Sequence, residues 1–481
     1  MKKALFLLLS VLIVSSNLYS QSTFSKLYAS SPVGSLAKCL ATLPDGGFLI
    51  GGQVGVLDSA FYGKAQLRKI DQYGNEVWER RDSIAGFDYI NDIVVYDSST
   101  IYCAVSAKSN LWVLKRNMEG DILMAKNFFP YGDTCSEPTA MKKTKDGNLI
   151  ISGMHYNCGW VNFIVLKIDT NLNVLWQVKL PAWQYDKTAL DIVEVDDASF
   201  VFTGYSNNYD TIDPYPGFNA IFGKLSYDGN ISVYKTIPLA SYPFNEGRAI
   251  AALPGNKFLI AGRISTLPQY LPEASFFVAN DTGKIITSFV DSSGYRDENF
   301  IALKMYENYA VLLQQYSHKS GSDSAVDFKL SKYDFINDEI IFEQRYLLTG
   351  FQEPKDLEIL PNGNIAVLYD YLWDDCPQCV GLVVMDSTGY VQEWYPNSID
   401  DIALAPAIQV YPNPAKDYFT IEAEQSGTFQ LYNSLGQLVL TKAINQGSYA
   451  TLDVSGFSSG VYFYNFLSDG NADTRGKLVK E

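Results

Sequence analysis

Four of the six cysteines are spaced in a way that predicts disulfide chemistry. Cys135 and Cys158 flank two predicted antiparallel strands, which would return both residues to the same end of a sheet, and Cys376 and Cys379 are separated by two residues. An exported chain favours disulfides over metal thiolates, and the N-terminus of this chain is typical of export. We therefore predict the disulfides Cys135–Cys158 and Cys376–Cys379.

The other residues with possible redox or metal chemistry give weaker signals. The C-x-x-C spacing at Cys376 could be a redox site, but no helix follows it to lower a thiol pKa, so a structural disulfide in an extended loop is favoured. Cys39 and Cys103 lie in predicted strands and should be buried free thiols. His155 and His318 are the two histidines and match no zinc-binding spacing. We predict no metal and no cofactor.

Aromatic residues beside carboxylates mark the predicted loops between second and third strands of the repeats described below. Such pairs suit sugars, whose apolar ring faces stack on aromatic side chains while their hydroxyls form hydrogen bonds, and function concentrates in loops. Local loop packing is the alternative interpretation. The candidate ligand-binding residues are Trp160, Tyr209, Tyr215, Trp373 and Asp374.

Composition excludes several classes of partner. The chain has 481 residues, with 37 Lys and Arg against 53 Asp and Glu, for a formal net charge of -16. Without a basic cluster, binding to nucleic acid or to anionic membranes is disfavoured. The motifs of P-loop proteins and of serine hydrolases are absent from the sequence.

The N-terminus has the layout of a secretory signal peptide. Lys2 and Lys3 precede an apolar run over residues 4–14, which is too short to span a bilayer. We predict cleavage after Ser20, so that residues 1–20 are removed and the mature chain begins at Gln21 without a transmembrane helix.

Seven copies of one pattern follow, each an apolar strand, a tight polar turn, a second strand, a variable loop and two more strands. Asp45-Gly46-Gly47 is the first turn of the first copy, and its counterpart in the last copy is centred on Gly363. Six periods thus cover 317 residues, or roughly 53 each, as in a propeller blade of four strands.

Radial stacking of these units removes most exposed sheet edges. We therefore predict an all-β chain with a seven-bladed β-propeller over residues 21–396. A linear array or two β-sandwiches are the alternatives. A strand over residues 23–28 would close the ring against the last copy, although counting fourth strands leaves one to spare.

Tryptophan recurs near the fourth strand of some copies. The string Asp71, Gly74, Trp78, with Trp176 and Trp394 near equivalent places, resembles the tryptophan-docking hairpin of quinoprotein-type propellers. We interpret these side chains as aromatic wedges between neighbouring blades.

After a linker over residues 397–407, the pattern changes to a compact block over residues 408–481, enough for a small immunoglobulin-like β-sandwich. Its prolines should start a first edge strand, residues 433–436 should form a hairpin turn, and residues 461–466 should alternate between two faces. The block carries the ordered motifs VYPNPAKD, FQLYNSLGQLV, LDVSGFSSGVYFYNF and GKLVKE. The anchor residues within these motifs are Tyr411, Pro412, Asn413, Pro414, Gly436, Gly460, Lys477 and Lys480.

Together these motifs resemble the type A C-terminal sorting domain of the type IX secretion system. The resemblance implies export through the outer membrane of a Gram-negative bacterium by the type IX secretion machinery. It further implies that the protein is released outside the cell or tethered to lipopolysaccharide at the outer-membrane surface.

Three functions fit this sequence. The leading hypothesis is a non-catalytic, exported propeller that binds a glycan or a protein. The second is an extracellular polysaccharide lyase or glycosidase that uses loop carboxylates such as Asp213 or Asp374. The third is a structural component of adhesion or motility.

Overall fold

A computed structural model of the chain describes residues 23–29, 34–55, 63–84, 88–129, 135–157, 160–179, 187–196, 198–208, 217–237, 244–266, 271–291, 296–320, 323–346, 351–373, 376–391, 408–423, 426–433, 437–445, 449–468 and 473–481. Contacts divide the chain into two compact units, Met1–Lys26 with Val33–Trp394, and Leu27–Pro32 with Tyr395–Glu481. In the described residues all regular structure is β-strand, which confirms the all-β prediction.

Six four-stranded antiparallel sheets form in strict chain order, so each repeat folds with its own neighbours in sequence. Alternating burial of β-branched and aromatic side chains explains why these segments form strands. The strands are β2 (Ser35–Thr42), β3 (Phe48–Val54), β4 (Lys64–Ile70), β5 (Glu76–Asp82); β6 (Asp88–Val95), β7 (Thr100–Ala107), β8 (Asn110–Asn117), β9 (Ile122–Asn127); β10 (Cys135–Lys143), β11 (Leu149–Asn157), β12 (Trp160–Ile168), β13 (Val174–Lys179); β14 (Lys187–Glu194), β15 (Phe200–Asn208), β16 (Gly217–Leu225), β17 (Ile231–Ile237); β18 (Phe244–Leu253), β19 (Lys257–Thr266), β20 (Leu271–Asn280), β21 (Ile285–Val290); and β22 (Arg296–Tyr306), β23 (Tyr309–Ser320), β24 (Asp323–Asp334), β25 (Glu339–Tyr346).

The last sheet of the repeat region combines strands from both ends of that region. Its order is β1 (Phe24–Tyr28), β28 (Cys376–Met385), β27 (Ile365–Trp373) and β26 (Phe351–Ile359). The N-terminal strand therefore takes the fourth position in the last copy. This pairing confirms that the N-terminal strand joins the last copy. The surplus fourth strand is expected after Gly389, and residues 392–407 lie outside the described residues.

Neighbouring sheets pack face to face around a common centre. The first strands of successive sheets contact one another, and β26 contacts β2, so the series closes on itself. Buried apolar side chains fill the spaces between sheets; Cys39, Leu67, Ile90 and Cys103, for example, share one core between the first two. These features are those of a β-propeller, in which the first strand of each sheet is innermost.

The tight turns fall where the repeat pattern predicts them. The first turn places Gly46 at φ 84° and Gly363 at φ 83°, and the second turn places Gly74 at φ 82°. Positive φ at these positions explains the glycines, since other residues are strained there.

A β-bulge interrupts every innermost strand at an equivalent position. In four sheets the facing residue of the second strand is a glycine, and a Cβ atom there would lie 1.8 to 2.3 Å from a carbonyl oxygen of the bulged strand. The bulge thus requires glycine at these four places. The bulged residues are Lys38, Asn91, Thr139, Leu190, Arg248, Ile301 and Lys355.

Of the three tryptophans predicted to be wedges, Trp78 and Trp176 lie between neighbouring sheets. Trp78 lies against Gly120 of the next sheet, where a Cβ atom would come within 2.8 Å of the indole. Trp176 lies against Gly229 in the same way, and its Nε1 donates a 2.9 Å hydrogen bond to the carbonyl oxygen of Tyr227. The wedge interpretation is confirmed for these two, and Trp394 lies outside the described residues.

The second unit contains a three-stranded and a four-stranded sheet that share a core including Phe419, Phe429 and Phe466. The alternation predicted for residues 461–466 is confirmed. The prediction that the prolines start a strand is wrong, because Pro412 and Pro414 follow the first strand. The strands are β29 (Ile408–Tyr411), β30 (Tyr418–Ala423) and β33 (Tyr449–Asp453), and β32 (Leu438–Ile444), β31 (Gly427–Tyr432), β34 (Gly460–Ser468) and β35 (Asp473–Lys480).

Among the described residues, no helix is long and apolar enough to cross a membrane.

Candidate functional site

A cavity of about 760 Å³ lies at the centre of the propeller, lined by residues of all seven innermost strands. Each of these strands has a sheet partner on one side only, so its other edge faces the cavity. An edge strand presents unpaired backbone N–H and C=O groups. The cavity wall is consequently rich in main-chain hydrogen-bonding groups before any side chain is considered.

Three aspartates in the cavity satisfy some of these main-chain groups. Each follows a bulged residue, and each joins two neighbouring sheets, because one carboxylate oxygen accepts a hydrogen bond from its own strand and the other from the innermost strand of the next sheet. Asp92 accepts from Ile93 N at 2.8 Å and Met141 N at 2.7 Å, Asp191 from Ile192 N at 2.9 Å and Ile250 N at 3.0 Å, and Asp356 from Leu357 N at 2.8 Å and Leu40 N at 2.8 Å.

Other polar side chains strengthen the same junctions. Asn91 Nδ2 donates to the carbonyl oxygen of Pro138 at 2.7 Å, and Thr139 Oγ1 donates to that of Ala189 at 2.6 Å. Both donors are the bulged residues of their strands. The bulge therefore turns a side chain from its own sheet toward the next one.

Two lysines reach the same cavity from β10 and β22. Lys142 Nζ lies 3.8 Å from Asp191 Oδ1 and 4.0 Å from Asp92 Oδ2, and Lys304 Nζ lies 2.6 Å from Glu358 Oε1. The Lys142 distances exceed hydrogen-bond length, so these contacts leave the ammonium donors of Lys142 available to a ligand. Between them, Lys142 and Lys304 can offer several N–H groups to hydroxyl, carbonyl or carboxylate oxygens.

Electrostatics keeps both lysines charged. Burial works to lower the pKa of Lys142, but Asp191 and Asp92 raise it above its usual range. Burial likewise opposes the charge of Lys304, and Glu358 raises the pKa of that lysine strongly. Both ammonium groups therefore remain protonated at any physiological pH.

The carboxyl group of Asp356 is affected in the opposite way. Burial raises its pKa above the usual range, and the nearby Lys304 counteracts part of that rise. Glu358 raises the pKa further because two carboxylates in one enclosed space repel each other. Asp356 is thus closer to accepting a proton near neutral pH than an ordinary aspartate.

Cations also surround the cavity at the level of the bulges. Arg248 Nε lies 3.1 Å from Glu246, and Lys355 Nζ lies 2.6 Å from Glu353 and 3.3 Å from Asp370. Each is balanced by carboxylates of its own sheet. Lys38 is exposed, and its ammonium lies 5.6 Å from the ring centre of Tyr89.

The predicted ligand-binding residues are only partly covered by the structure. Trp160 begins β12 and Trp373 ends β27, so the alternation of strand directions brings both backbone positions to the face on which second strands pass to third strands. This face is the one predicted for the ligand. Tyr209, Tyr215 and Asp374 lie outside the described residues.

The cysteine predictions have mixed outcomes. Cys39 and Cys103 are buried free thiols, as predicted. The register pairs Cys135 with Tyr156, close in sequence to Cys158, which lies outside the described residues. Cys376 and Cys379 both lie in β28, which corrects their placement in a loop, and Cys379 is buried. Both disulfides stay predictions.

One histidine has a defined structural environment. His155 is buried, its Nδ1 lies 2.6 Å from Ser136 Oγ, and its ring lies 5.6 Å from that of Phe129. It is held as a packed core residue in the third sheet.

In the second unit, the first and last anchor motifs lie against each other. Asn413 Nδ2 donates to the carbonyl oxygen of Lys477 at 2.8 Å, and Asn413 Oδ1 accepts from Val479 N at 2.9 Å. Ala415 continues the contact, with its N–H 2.7 Å from the carbonyl oxygen of Val479 and its own carbonyl 2.9 Å from Glu481 N. The segment containing Pro412 and Pro414 therefore covers the outer edge of β35.

The other anchor residues have distinct positions. Gly460 begins β34 at φ 152°, where a side chain would be strained, and Lys480 is buried at the end of β35. Tyr411 is exposed, with its hydroxyl 3.4 Å from Glu422. Gly436 lies outside the described residues.

Residues 409–481 match the family described as Secretion system C-terminal sorting domain. The chain carries a type IX sorting domain. The protein is therefore a secreted, cell-surface or extracellular protein, and its sorting domain interacts with the type IX secretion machinery. No curated protein sequence matches the chain.

Several solved structures are similar to the chain at low sequence identity. Semaphorin 2a from Drosophila is 8% identical with a TM-score of 0.48, covering 95% of this chain and 97% of its own. A catalytically inactive virginiamycin B lyase from Staphylococcus aureus is 12% identical with a TM-score of 0.46, covering 76% and 100%. The β-propeller domain of the Trilobed protease from Pyrococcus furiosus is 11% identical with a TM-score of 0.42, covering 73% and 95%. The propeller assignment rests on the strand topology of this chain itself.

Sequence reasoning missed the cavity residues. Asp92, Asp191 and Asp356 each occupy the same position in their repeats, but the other four copies carry Cys or Ala there. Aligning the innermost strands on their shared bulge would have revealed this partial periodicity. Lys142 and Lys304 occupy a second shared position, two residues further along, and could have been found in the same way.

Proposed function

We propose that this secreted propeller binds an extracellular glycan or protein without transforming it. The observation that supports this most directly is the state of Asp92, Asp191 and Asp356, whose carboxylate oxygens all accept hydrogen bonds from backbone N–H groups. A general acid or base must exchange a proton with its substrate. Carboxylates held in this way join the sheets. Lys142, whose distances to Asp92 and Asp191 exceed hydrogen-bond length, is the charged group of the cavity wall that we propose for the ligand.

The ligand would bind in the central cavity beside Lys142. A polymer that passes through the ring would also reach the face that carries Trp160 and Trp373, because Ile150, the partner of Lys142, lies seven positions along β11 from Asn157, the partner of Trp160. A cavity of about 760 Å³ is within the range of roughly 300 to 1,000 Å³ that accommodates a small molecule or a short segment of a polymer. Tyr209, Tyr215 and Asp374 belong to the same proposed surface. Aromatic stacking and N–H donors together suit a sugar chain, whose rings and hydroxyl groups need both.

The proposal includes the processing of the chain. We infer removal of residues 1–20 at the inner membrane, formation of the Cys135–Cys158 and Cys376–Cys379 disulfides during export, and release or tethering of the product at the outer-membrane surface. These events would deliver the propeller to a place where extracellular polymers are available.

Native affinity electrophoresis of the full chain tests the binding proposal, with a panel of polysaccharides in the gel and products collected from the same lanes. Retardation by one polymer without cleavage is expected. Lys142→Met should then weaken retention about tenfold, since one charged hydrogen bond contributes about 1.5 kcal/mol. Lys235→Met is the matched control, because Lys235 is exposed on the outermost strand β17 and does not line the cavity.

Two results would contradict the glycan proposal. Unchanged migration in every gel would favour a protein ligand, to be sought by pull-down from surface extracts. Equal retention of Lys142→Met and the unmodified chain would show that the ligand does not bind in the cavity. Trp373→Ala would then test the loop face alone.

An enzymatic function remains the second candidate because burial raises the pKa of Asp356. A carboxyl with a raised pKa can act as a general acid near neutral pH. Cleavage products that disappear with Asp356→Asn, while binding persists, would establish that alternative.

A further inference from the structure

The sorting domain exposes an unusual share of apolar surface. Seven of the 20 large apolar side chains that are exposed in the described residues belong to it, although residues 409–481 are only about a seventh of the chain. Contiguous exposed apolar surface marks interaction sites.

One face of the four-stranded sheet supplies a continuous row. The register places Leu438 of β32 opposite Tyr432 of β31, Tyr432 opposite Phe463 of β34, and Phe463 opposite Lys477 of β35. Residues directly opposite in antiparallel strands share a face. Val461, two residues before Phe463, extends the same face.

The row points away from the core. Phe463 and Leu438 are each 52% exposed and Val461 is 43% exposed. The alternate residues Tyr462 and Phe466 are buried in the core on the other side of the sheet. The apolar row, defined as Leu438, Tyr432, Phe463 and Val461, is therefore on the outer face.

The edge of the sheet beside the row is already occupied. Asn413 and Ala415 hydrogen-bond along β35 and cover that edge. A partner cannot add a strand there, so recognition on this side must use side chains on the face. The first anchor motif thus protects the last strand while leaving the apolar row open.

We propose that the apolar row is the surface by which a protein of the type IX secretion machinery recognises this tail. The partner would present an apolar surface flanked by carboxylates, because the exposed Lys477 ends the row and carries its positive charge. A second copy of the chain is disfavoured as occupant, since a net charge of -16 on each copy produces mutual repulsion. Aromatic anchors such as Phe463 and Tyr432 typically dominate such interfaces.

To test this proposal, the full chain is expressed in a Gram-negative bacterium that has a type IX secretion system. Periplasm, surface and medium are then separated, and the fraction of the protein that is exported is measured. Phe463→Ser is expected to reduce the exported fraction about tenfold and to accumulate in the periplasm, as loss of one anchor of about 1.4 kcal/mol would predict. Phe463→Leu should be exported normally, and Lys477→Glu should show the same defect as Phe463→Ser.

Tyr449→Ser is the matched control. Tyr449 is 68% exposed, but it lies in the three-stranded sheet of the same domain. Its export should equal that of the unmodified chain. Thermal unfolding of the purified variants must be unchanged, so that lost export is not lost folding, and Phe463→Leu supplies a folded variant at the same position if Phe463→Ser is unstable.

Three outcomes would overturn the proposal. Normal export of folded Phe463→Ser and Lys477→Glu would exclude the row as a recognition surface. An equal defect in Tyr449→Ser would show that the effect is not specific to this face. Light scattering that shows a dimer dissociated by Phe463→Ser, together with normal export of that variant, would assign the row to a second copy.

Discussion

Replacing Asp356 by alanine should destabilise the propeller where its last sheet meets its first. Asp356 Oδ2 accepts a 2.8 Å hydrogen bond from Leu40 N, which lies more than 300 positions earlier in the chain. Leu40 is 2% exposed, so the N–H group loses its acceptor in a place where water replaces it poorly. The second bond, to Leu357 N, is local and stabilises the turn of the strand itself.

The expected loss can be bounded from these contacts. A hydrogen bond to a charged group contributes about 1.5 to 3 kcal/mol, and the long-range bond to Leu40 is the main term. Burial raises the pKa of Asp356, so the ionised carboxylate is itself disfavoured in the folded state and its removal returns part of the loss. We expect a net decrease of about 1 to 2 kcal/mol in the free energy of unfolding, or a few °C in Tm.

Urea unfolding of the full chain, followed by tryptophan fluorescence, measures this change as a lower transition midpoint at constant slope. Asp191→Ala should behave similarly, because Asp191 makes the equivalent bond to Ile250 N at 3.0 Å. Asp45→Ala is the control, since Asp45 bonds Gly47 N in an exposed first turn and should cost about 0.5 kcal/mol.

One pattern of results would refute the reasoning. If Asp356→Ala were as stable as the unmodified chain while Asp191→Ala lost stability, the ring would not depend on the bond between its last and first sheets. The carboxyl of Asp356 would then have to be retained for another reason, and the acid–base alternative would gain support.

Gly204→Ala should lower the free energy of unfolding by about 1 to 3 kcal/mol, because the new Cβ would lie 1.8 Å from the carbonyl oxygen of Thr188. Gly255→Ala should lower it by about 1 kcal/mol, because the space around Gly255 is open but its φ is 76°. Urea unfolding of the two variants compares these losses. Burial tends to raise the pKa of Asp146, but hydrogen bonds from Lys167 and other donors outweigh it and lower the pKa. The stability that ionised Asp146 gives the folded chain should therefore be lost as the pH falls below about 4. Unfolding titrations from pH 7 to 3 measure this loss, which should be smaller in Asp146→Asn. Thiol titration of the purified chain in denaturant should find only the two free cysteines if both predicted disulfides form, and a higher number would refute at least one.

Local features of the sequence predicted much of the architecture. Turn chemistry at Gly46, Gly74 and Gly363 identified the repeat, and the four ordered motifs identified the sorting domain, because both depend on residues close together in the chain. The closing role of the strand beginning at Phe24 was harder to establish. Its partner β28 lies at the other end of the repeat region, so no local pattern determines which sheet it completes.

The candidate site was less predictable than the fold for the same reason. Asp92, Asp191 and Asp356 lie in strands that carry other acidic residues, so the sequence alone does not distinguish a carboxylate that joins two sheets from a catalytic one. Their role depends on backbone N–H groups of the next sheet, which become visible only when the ring is assembled. Lys142 acquires its significance in the same way, from two aspartates on different sheets.

Both units solve one physical problem, the protection of sheet edges, with side chains that are distant in sequence. In the propeller, Asp356 bonds the open edge of the strand that contains Leu40; in the sorting domain, Asn413 bonds the open edge of β35. Edge strands left bare would pair with other chains. Once these polar residues are assigned to edge protection, the residues that we propose for recognition are Lys142 in the cavity, Trp160 and Trp373 among the candidate ligand-binding residues, and the apolar row. Selective loss of binding in Lys142→Met and of export in Phe463→Ser would therefore separate the two functions within one chain.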